Sequence, residues 1–516
     1  MRSAAAALFC LAALLAAACS DGSRIPAGLG RRVAEGQALG LHPSPDGTRL
    51  AWLERCARPP LPQLPQGALA CDLLVASAEG GAATRVAEGV SSLDAGFSWG
   101  PDGSLAALAN HDYATGTGTL VLLRPGDAPV RLASHVGYYG FGPSGILAFV
   151  SAGELSLASP GGRPAPVPGA AGIATFEFRP ADATELLARR QSTAGGELVL
   201  VRGGTATPLS RTAVADYAWS PDGRFAAATA RGPDGTWDLQ LWRADSARPA
   251  ATLGRDVHGF AFARDGSALA FLAGMAPGKA GDLFAAALPG GPAAGEVRAQ
   301  RVATGVGEFR WAAKAARLAW LEAFDPRIRA GTLCVGGPGV APAAFGKNVT
   351  AFDLTPSAAQ VAFLEHVTAG GYSVDLVLAG AQAGPSGTVA RGVFGFDFSP
   401  DGRWLYYRTS CVRNADACDL YRIPATGLAG GQPPERVAEG VKSFEFDRAR
   451  PERLLVGFAR RELAALDLAV WQGARLVSVD QAVLPGSARF LGPGGERVAY
   501  VGMAPGRPGV YVARLP

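Results

Sequence analysis

The chain has very few lysines, and its net charge is only +4 over 516 residues. No basic patch is interleaved with aromatics, which excludes nucleic acid as a partner. Its five histidines (42, 111, 135, 258 and 366) show no metal-ligand spacing. No loop alternates Asp ahead of a Gly and a closing Glu, as calcium requires. Neither a metal nor any other cofactor is expected. The single Gly-x-Ser-x-Gly, Gly96-Phe-Ser-Trp-Gly100, runs into a Pro-Asp-Gly turn and not into a helix. It lacks the strand–turn–helix setting of a nucleophile elbow. No catalytic residue is assigned, and the chain reads as a non-enzyme. After residue 18 no apolar run is long enough to span a bilayer.

Glycine and proline are abundant instead, at 69 and 38 residues, while 48% of the chain is hydrophobic. That combination excludes disorder and indicates many short strands joined by tight turns. The clearest example is 393–407, where Phe396-Asp-Phe-Ser-Pro-Asp-Gly402 leads into Trp404-Leu-Tyr-Tyr407. Alternation with period two marks half-buried strands. In Pro-Asp-Gly, Pro pre-sets φ, Asp bonds forward to the backbone and Gly accepts positive φ. The hairpin recurs with Pro-Asp-Gly at 45–47, 101–103 and 221–223. Variants stand at 143–145 and 264–266. Copies with degenerate turns cover 176–187, 309–321, 352–364, 444–456 and 490–501. Eleven copies spaced about 45 residues apart, each followed by a third and a fourth short strand, have the period of a β-propeller blade.

These repeats resemble the WD40-like (PD40) repeats of TolB-like β-propellers over roughly residues 32–516. The resemblance implies an all-β propeller of about eleven four-stranded blades and implies no particular function. Rings of four to eight blades are usual. Two propellers are therefore expected, blades 1–6 over residues 32–300 and blades 7–11 over 301–516, with one large ring as the alternative. Arg32-Val-Ala-Glu-Gly36 reads as a fourth strand without its first three, and Val510–Arg514 as a third strand without its fourth. The N-terminal strand is expected to complete the last blade and hide its edge.

Residues 1–18 resemble a bacterial lipoprotein signal peptide: Arg2, an apolar run over 4–18, then Ala16-Ala-Ala-Cys19-Ser. The resemblance implies a lipid on Cys19, a tether over 19–31 and membrane attachment without a transmembrane helix. The periplasmic side of the outer membrane is the expected location. Cys56 and Cys71 flank the loop between strands two and three of one repeat, and Cys411 and Cys418 stand in the same places of another. In an oxidising compartment each pair is expected to bond. Cys334, in mid-strand, is expected to stay free as a small buried hydrophobe.

In an antiparallel meander the 1–2 and 3–4 turns share one face of the disc. The 2–3 loops and the links between blades share the other. Asp216, His258, Glu308 and Lys442 directly precede first strands, so they are expected at one mouth of a central channel. The expected function is a lipid-anchored envelope scaffold binding a protein or peptide, or else a glycan. The alternative is a propeller hydrolase or lyase acting on polysaccharide or peptide.

Overall fold

A computed structural model describes residues 28–515, apart from 60–63, 94–95, 181, 193–194, 276–279, 291–295, 367–373, 383–385, 413–416, 427–431 and 461–463. The segment expected to be a signal peptide, and Cys19, lie outside the described residues. The described residues form strands and turns with no helix, so none is long and apolar enough to cross a membrane.

Blade 1 sets the pattern: four antiparallel strands, Leu39–Pro43, Arg49–Ala57, Ala70–Ser77 and Thr84–Ser91, paired in chain order. Ten further blades follow. Three strands, Val130–Phe141, Val340–Leu354 and Glu435–Phe446, each serve as the fourth strand of one blade and the first of the next. Eleven four-stranded blades therefore need only 41 strands.

The turn chemistry explains the hairpins. In blades 1, 5 and 9 the hydroxyls of Ser44, Ser220 and Ser399 donate to Asp46, Asp222 and Asp401 at 2.6–2.7 Å. Gly47, Gly223 and Gly402 close each turn at φ of 68°, 69° and 73°, a region that disfavours any side chain. The repeated Asp residues are thus turn residues, fully engaged with their own backbone.

The core is not one mass but a series of apolar clusters between blades. Blades 1 and 2 share Leu53, Leu73 and Val90 with Leu105 and Leu123. Each later pair in chain order shares a cluster of its own. Blade 6 joins blade 7 through Leu283 and Val306 against Leu318 and Trp320. Blade 11 joins blade 1 through Val501 and Val512 against Leu41 and Trp52. Among the described residues no cluster links blade 6 back to blade 1, or blade 11 back to blade 7, as two separate rings would need. Among the described residues the packing runs through eleven interfaces, each blade with the next in chain order and blade 11 with blade 1.

Closure of the circuit is carried by the chain's own ends. Gly30–Glu35 pairs antiparallel with Gly509–Arg514 and supplies the fourth strand of blade 11. The strand starts two residues earlier than Arg32, and the Leu29 N–H already donates to the Val479 carbonyl at 2.8 Å. Residues 30 and 31, expected to belong to the tether, are thus already part of blade 11. Gly30 can dock because it lacks a side chain: a Cβ there would lie 1.9 Å from the Tyr500 hydroxyl.

Both expected disulfides, Cys56–Cys71 and Cys411–Cys418, are present. They share a local cause. The residue before the first cysteine, Arg55 or Ser410, has positive φ (51° and 54°) at a bulge ending the second strand. The bulge offsets Cys56 and Cys411 from the regular ladder. Cys334 is free and buried, and burial pushes its thiol up to about 12, which leaves it unreactive.

Candidate functional site

The first strand of each blade is its inner edge. Neighbouring first strands approach one another: Leu39–Pro43 against Arg489–Leu491, Ile173–Arg179 against Val214–Trp219, and Val340–Leu354 against Gly395–Phe398. Each carries an apolar–x–apolar triplet just ahead of its turn. Phe176 and Phe178, Phe352 and Leu354, Phe396 and Phe398, and Phe444 and Phe446 all pack into clusters between blades. Period-two alternation then turns the middle residue away from those clusters. The polar residues at this level are His42, Ser98, Glu177, Arg310, Asp353, Asp397, Glu445 and Arg489.

A recurring bond holds the level in register. Trp99 of blade 2 donates its indole N–H to the carbonyl of His42 in blade 1 (3.1 Å). Trp219 of blade 5 does the same to Glu177 of blade 4 (3.3 Å), and Trp311 of blade 7 to Ala261 of blade 6 (3.0 Å). The side chains also meet across blade boundaries. Glu445 pairs with Arg489 of the next blade at 3.4 Å. Arg310 lies over the Phe352 ring, 5.5 Å from its centroid, and bonds Glu308 at 2.9 Å. The result is a polar belt around the inside of the ring.

The belt is most acidic over three consecutive blades, where Asp353, Asp397 and Glu445 follow one another. Burial raises the Asp353 carboxyl above its ordinary range, although the Leu354 N–H and Arg310 oppose the shift. Asp397 is raised by burial and by the neighbouring Asp353, against the pull of Arg408. On blade 4, Glu177 is pushed up to about 7, chiefly by burial and further by Asp216. His42 is held below its usual value by burial and by Arg489, so it stays neutral at pH 7.

The residues expected at the channel mouth fall around this belt. Asp216, His258 and Glu308 stand on the consecutive blades 5, 6 and 7, and Lys442 stands three blades further on. Asp216 is exposed and accepts the Tyr217 N–H at 2.9 Å. His258 sits 3.2 Å from Asp256. The Lys442 carbonyl accepts a bond from Arg408 at 3.1 Å. Lys442 and Glu445 also line a cleft of about 290 Å³ whose walls include Leu466 and Leu484. The four therefore do not form one constellation. The belt joins three of them to the acidic residues, through Glu177, Arg310 and Glu445. Sequence reasoning missed Glu177, Asp353, Asp397 and Glu445, although a charged residue between two large apolar residues of a first strand was a usable signal.

Ser98, the serine of Gly-x-Ser-x-Gly, lies on the short strand Phe97–Trp99, which turns directly into the next strand of its hairpin. Among the described residues no three His, Cys, Asp or Glu side chains are grouped as a metal ion would need.

No family model matches the chain, and no curated protein matches its sequence. Solved structures do match. A eukaryotic initiation factor is 13% identical, with a TM-score of 0.41, over 70% of this chain and 94% of its own. The Dos1 propeller is 11% identical, with a TM-score of 0.34, over 65% and 91%. An oligogalacturonate lyase in complex with manganese is 13% identical, with a TM-score of 0.30, over 72% and 96%. At such identities the likeness extends to the β-propeller fold alone.

Proposed function

We propose that the protein is a non-catalytic binding scaffold of the bacterial cell envelope, held to the membrane by a lipid on Cys19, that receives a basic segment of a protein or peptide partner at its channel. The observation behind this reading is the run Asp353, Asp397, Glu445 on consecutive blades of the inner rim. Burial raises two of its carboxyls, Asp353 and Asp397, and Asp397 is raised further by Asp353. Like charges held together gain when a cation arrives between them. A lysine or arginine side chain supplies that cation, and a ring of rigid blades presents the acids without reordering. Two disulfides fit an oxidising compartment.

The test is fluorescence anisotropy of the purified chain with an arginine- and lysine-rich peptide, its acidic counterpart and a neutral oligosaccharide. The basic peptide should bind saturably, weaken with salt, and lose at least about tenfold in affinity on D353N/D397N. Equal binding of the basic and acidic peptides, or no effect of the double substitution, would discard the reading. The alternative, an enzyme acting on polysaccharide or peptide, draws on Glu177, whose carboxyl near neutrality suits a general acid. Turnover of an envelope polymer that is lost in E177Q would support that alternative.

A further inference from the structure

We propose that the cleft between blades 10 and 11 is a socket for an aromatic side chain, phenylalanine or tyrosine, presented by a partner segment. It rests on the reading above only in taking a protein or peptide as the ligand; the charge of that segment is a separate matter. The socket arises where one interface departs from the pattern of the others. In blades 2 to 10 the inner-strand triplet always opens on Phe or Tyr, from Phe97 through Tyr217 and Phe352 to Phe444. Each of these rings packs against the blade before it. Phe444, for example, stands 6.3 Å from Tyr406 of blade 9, centroid to centroid.

Blade 11 has no such ring. Its inner strand is three residues long, Arg489–Leu491. Phe490 packs towards blade 10 with Val498 and Tyr500, whereas Leu491 packs towards blade 1. Phe490 therefore takes the last place of the triplet, opposite Val498, and Arg489 takes the middle one. Period-two alternation puts the first place on the face of Phe490, and the residue there is Ala488. A methyl group stands where blades 2 to 10 each have a ring.

The missing ring leaves room. Leu455, Leu466, Leu468, Val483, Leu484 and Ala488 line the cleft of about 290 Å³. Lys442, Glu445 and Pro485 also border it and are exposed, so it opens beside the belt. Apolar walls with no atoms against them forfeit dispersion contacts. A ring from outside restores those contacts and removes the walls from water, and the same place accommodates a ring at the other interfaces. Aromatic side chains bring a large apolar area with only two side-chain torsions to order. Glu445 is both a wall of the cleft and a member of the belt, one blade on from Asp397. A segment lying along the belt therefore passes the opening.

The test is fluorescence anisotropy of the full chain in lipid nanodiscs with four labelled peptides: a basic and a neutral one, each with Phe or Ser at its centre. Phe should bind at least about tenfold tighter than Ser in both pairs, the gain from burying one ring. Ala488→Phe returns the repeat's own ring to the interface. It should abolish that advantage, leave the Ser peptides as they were, and keep or raise the melting temperature. If it fails to fold, Ala488→Leu, a smaller filler, decides. Equal behaviour of Phe and Ser peptides, including no binding by any of the four, would overturn the socket. So would an advantage for Phe that survives in the folded, filled variant. Binding of decanoate that the filled variant loses, with no advantage for Phe, would assign the space to an acyl chain and overturn it too. Basic against neutral peptides, and D353N/D397N, test the charge at the belt separately: either result can fail while the other stands.

Discussion

Gly30 faces Ala513 across an antiparallel ladder, so the two ends of the described chain share one blade. The strand that makes this pairing also carries Val33, which is buried in the same cluster as Val510 and Trp52. Deleting residues 20–27 removes nothing from the ladder and should leave the melting temperature nearly unchanged. Deleting 20–36 removes the whole strand and bares the edge of Gly509–Arg514. That deletion should lower the melting temperature clearly and promote aggregation, as read by calorimetry and light scattering. Equal melting temperatures for the two would refute closure by this strand.

The cysteine pattern makes a second prediction. Each disulfide lies within a single blade, so its loss loosens one loop without opening the ring. In the chain-entropy model a bridge spanning 7 residues, such as Cys411–Cys418, contributes about 2.5 kcal/mol. The double variant Cys411→Ser/Cys418→Ser should lower unfolding stability by roughly that much while keeping the all-β circular dichroism spectrum. Thiol titration of the denatured, lipidated protein should find one reactive cysteine, Cys334. Three or more would contradict the pairing.

How much of this was legible follows from the range of each signal. The hairpins were, because Ser399, Pro400, Asp401 and Gly402 act on one another within four residues. The pairing of Cys56 with Cys71 was legible from equivalent positions in two repeats, although the bulge at Arg55 that sets its geometry was not. The order of the interfaces between blades was hidden because it depends on which distant surfaces meet, Leu283 with Trp320 and Trp52 with Val501, and all of these residues look alike in sequence. The belt was half legible. The aromatic alternation located the inner strand, but only the ring places Asp353 beside Asp397.

The proposed attachment to the membrane rests on Cys19, which precedes the described residues. Replacing it by Ala should move the protein from the membrane pellet to the soluble fraction and abolish labelling by palmitate. A mutant that still sediments with membrane, together with an unlabelled wild type, would remove the lipid from the proposal.

Glu177 provides the last prediction, through pH. In the folded ring its carboxyl titrates at about 7, whereas an ordinary glutamate does so near 4.5. Burial is the main cause, and Asp216 adds to it. The folded state therefore binds this proton more tightly than the unfolded state does. Stability linked to Glu177 is fully present below about pH 4.5, falls as pH rises, and is gone above about pH 7. Replacing Glu177 by Gln removes the charge that burial penalises, while the backbone carbonyl that accepts the Trp219 indole N–H stays in place. The variant should melt higher than wild type above pH 7, and the two should converge towards pH 4.5. Melting curves across that range decide it: a constant difference, or a wild type that melts higher near pH 8, would mean that Glu177 is not held in its raised state by the ring.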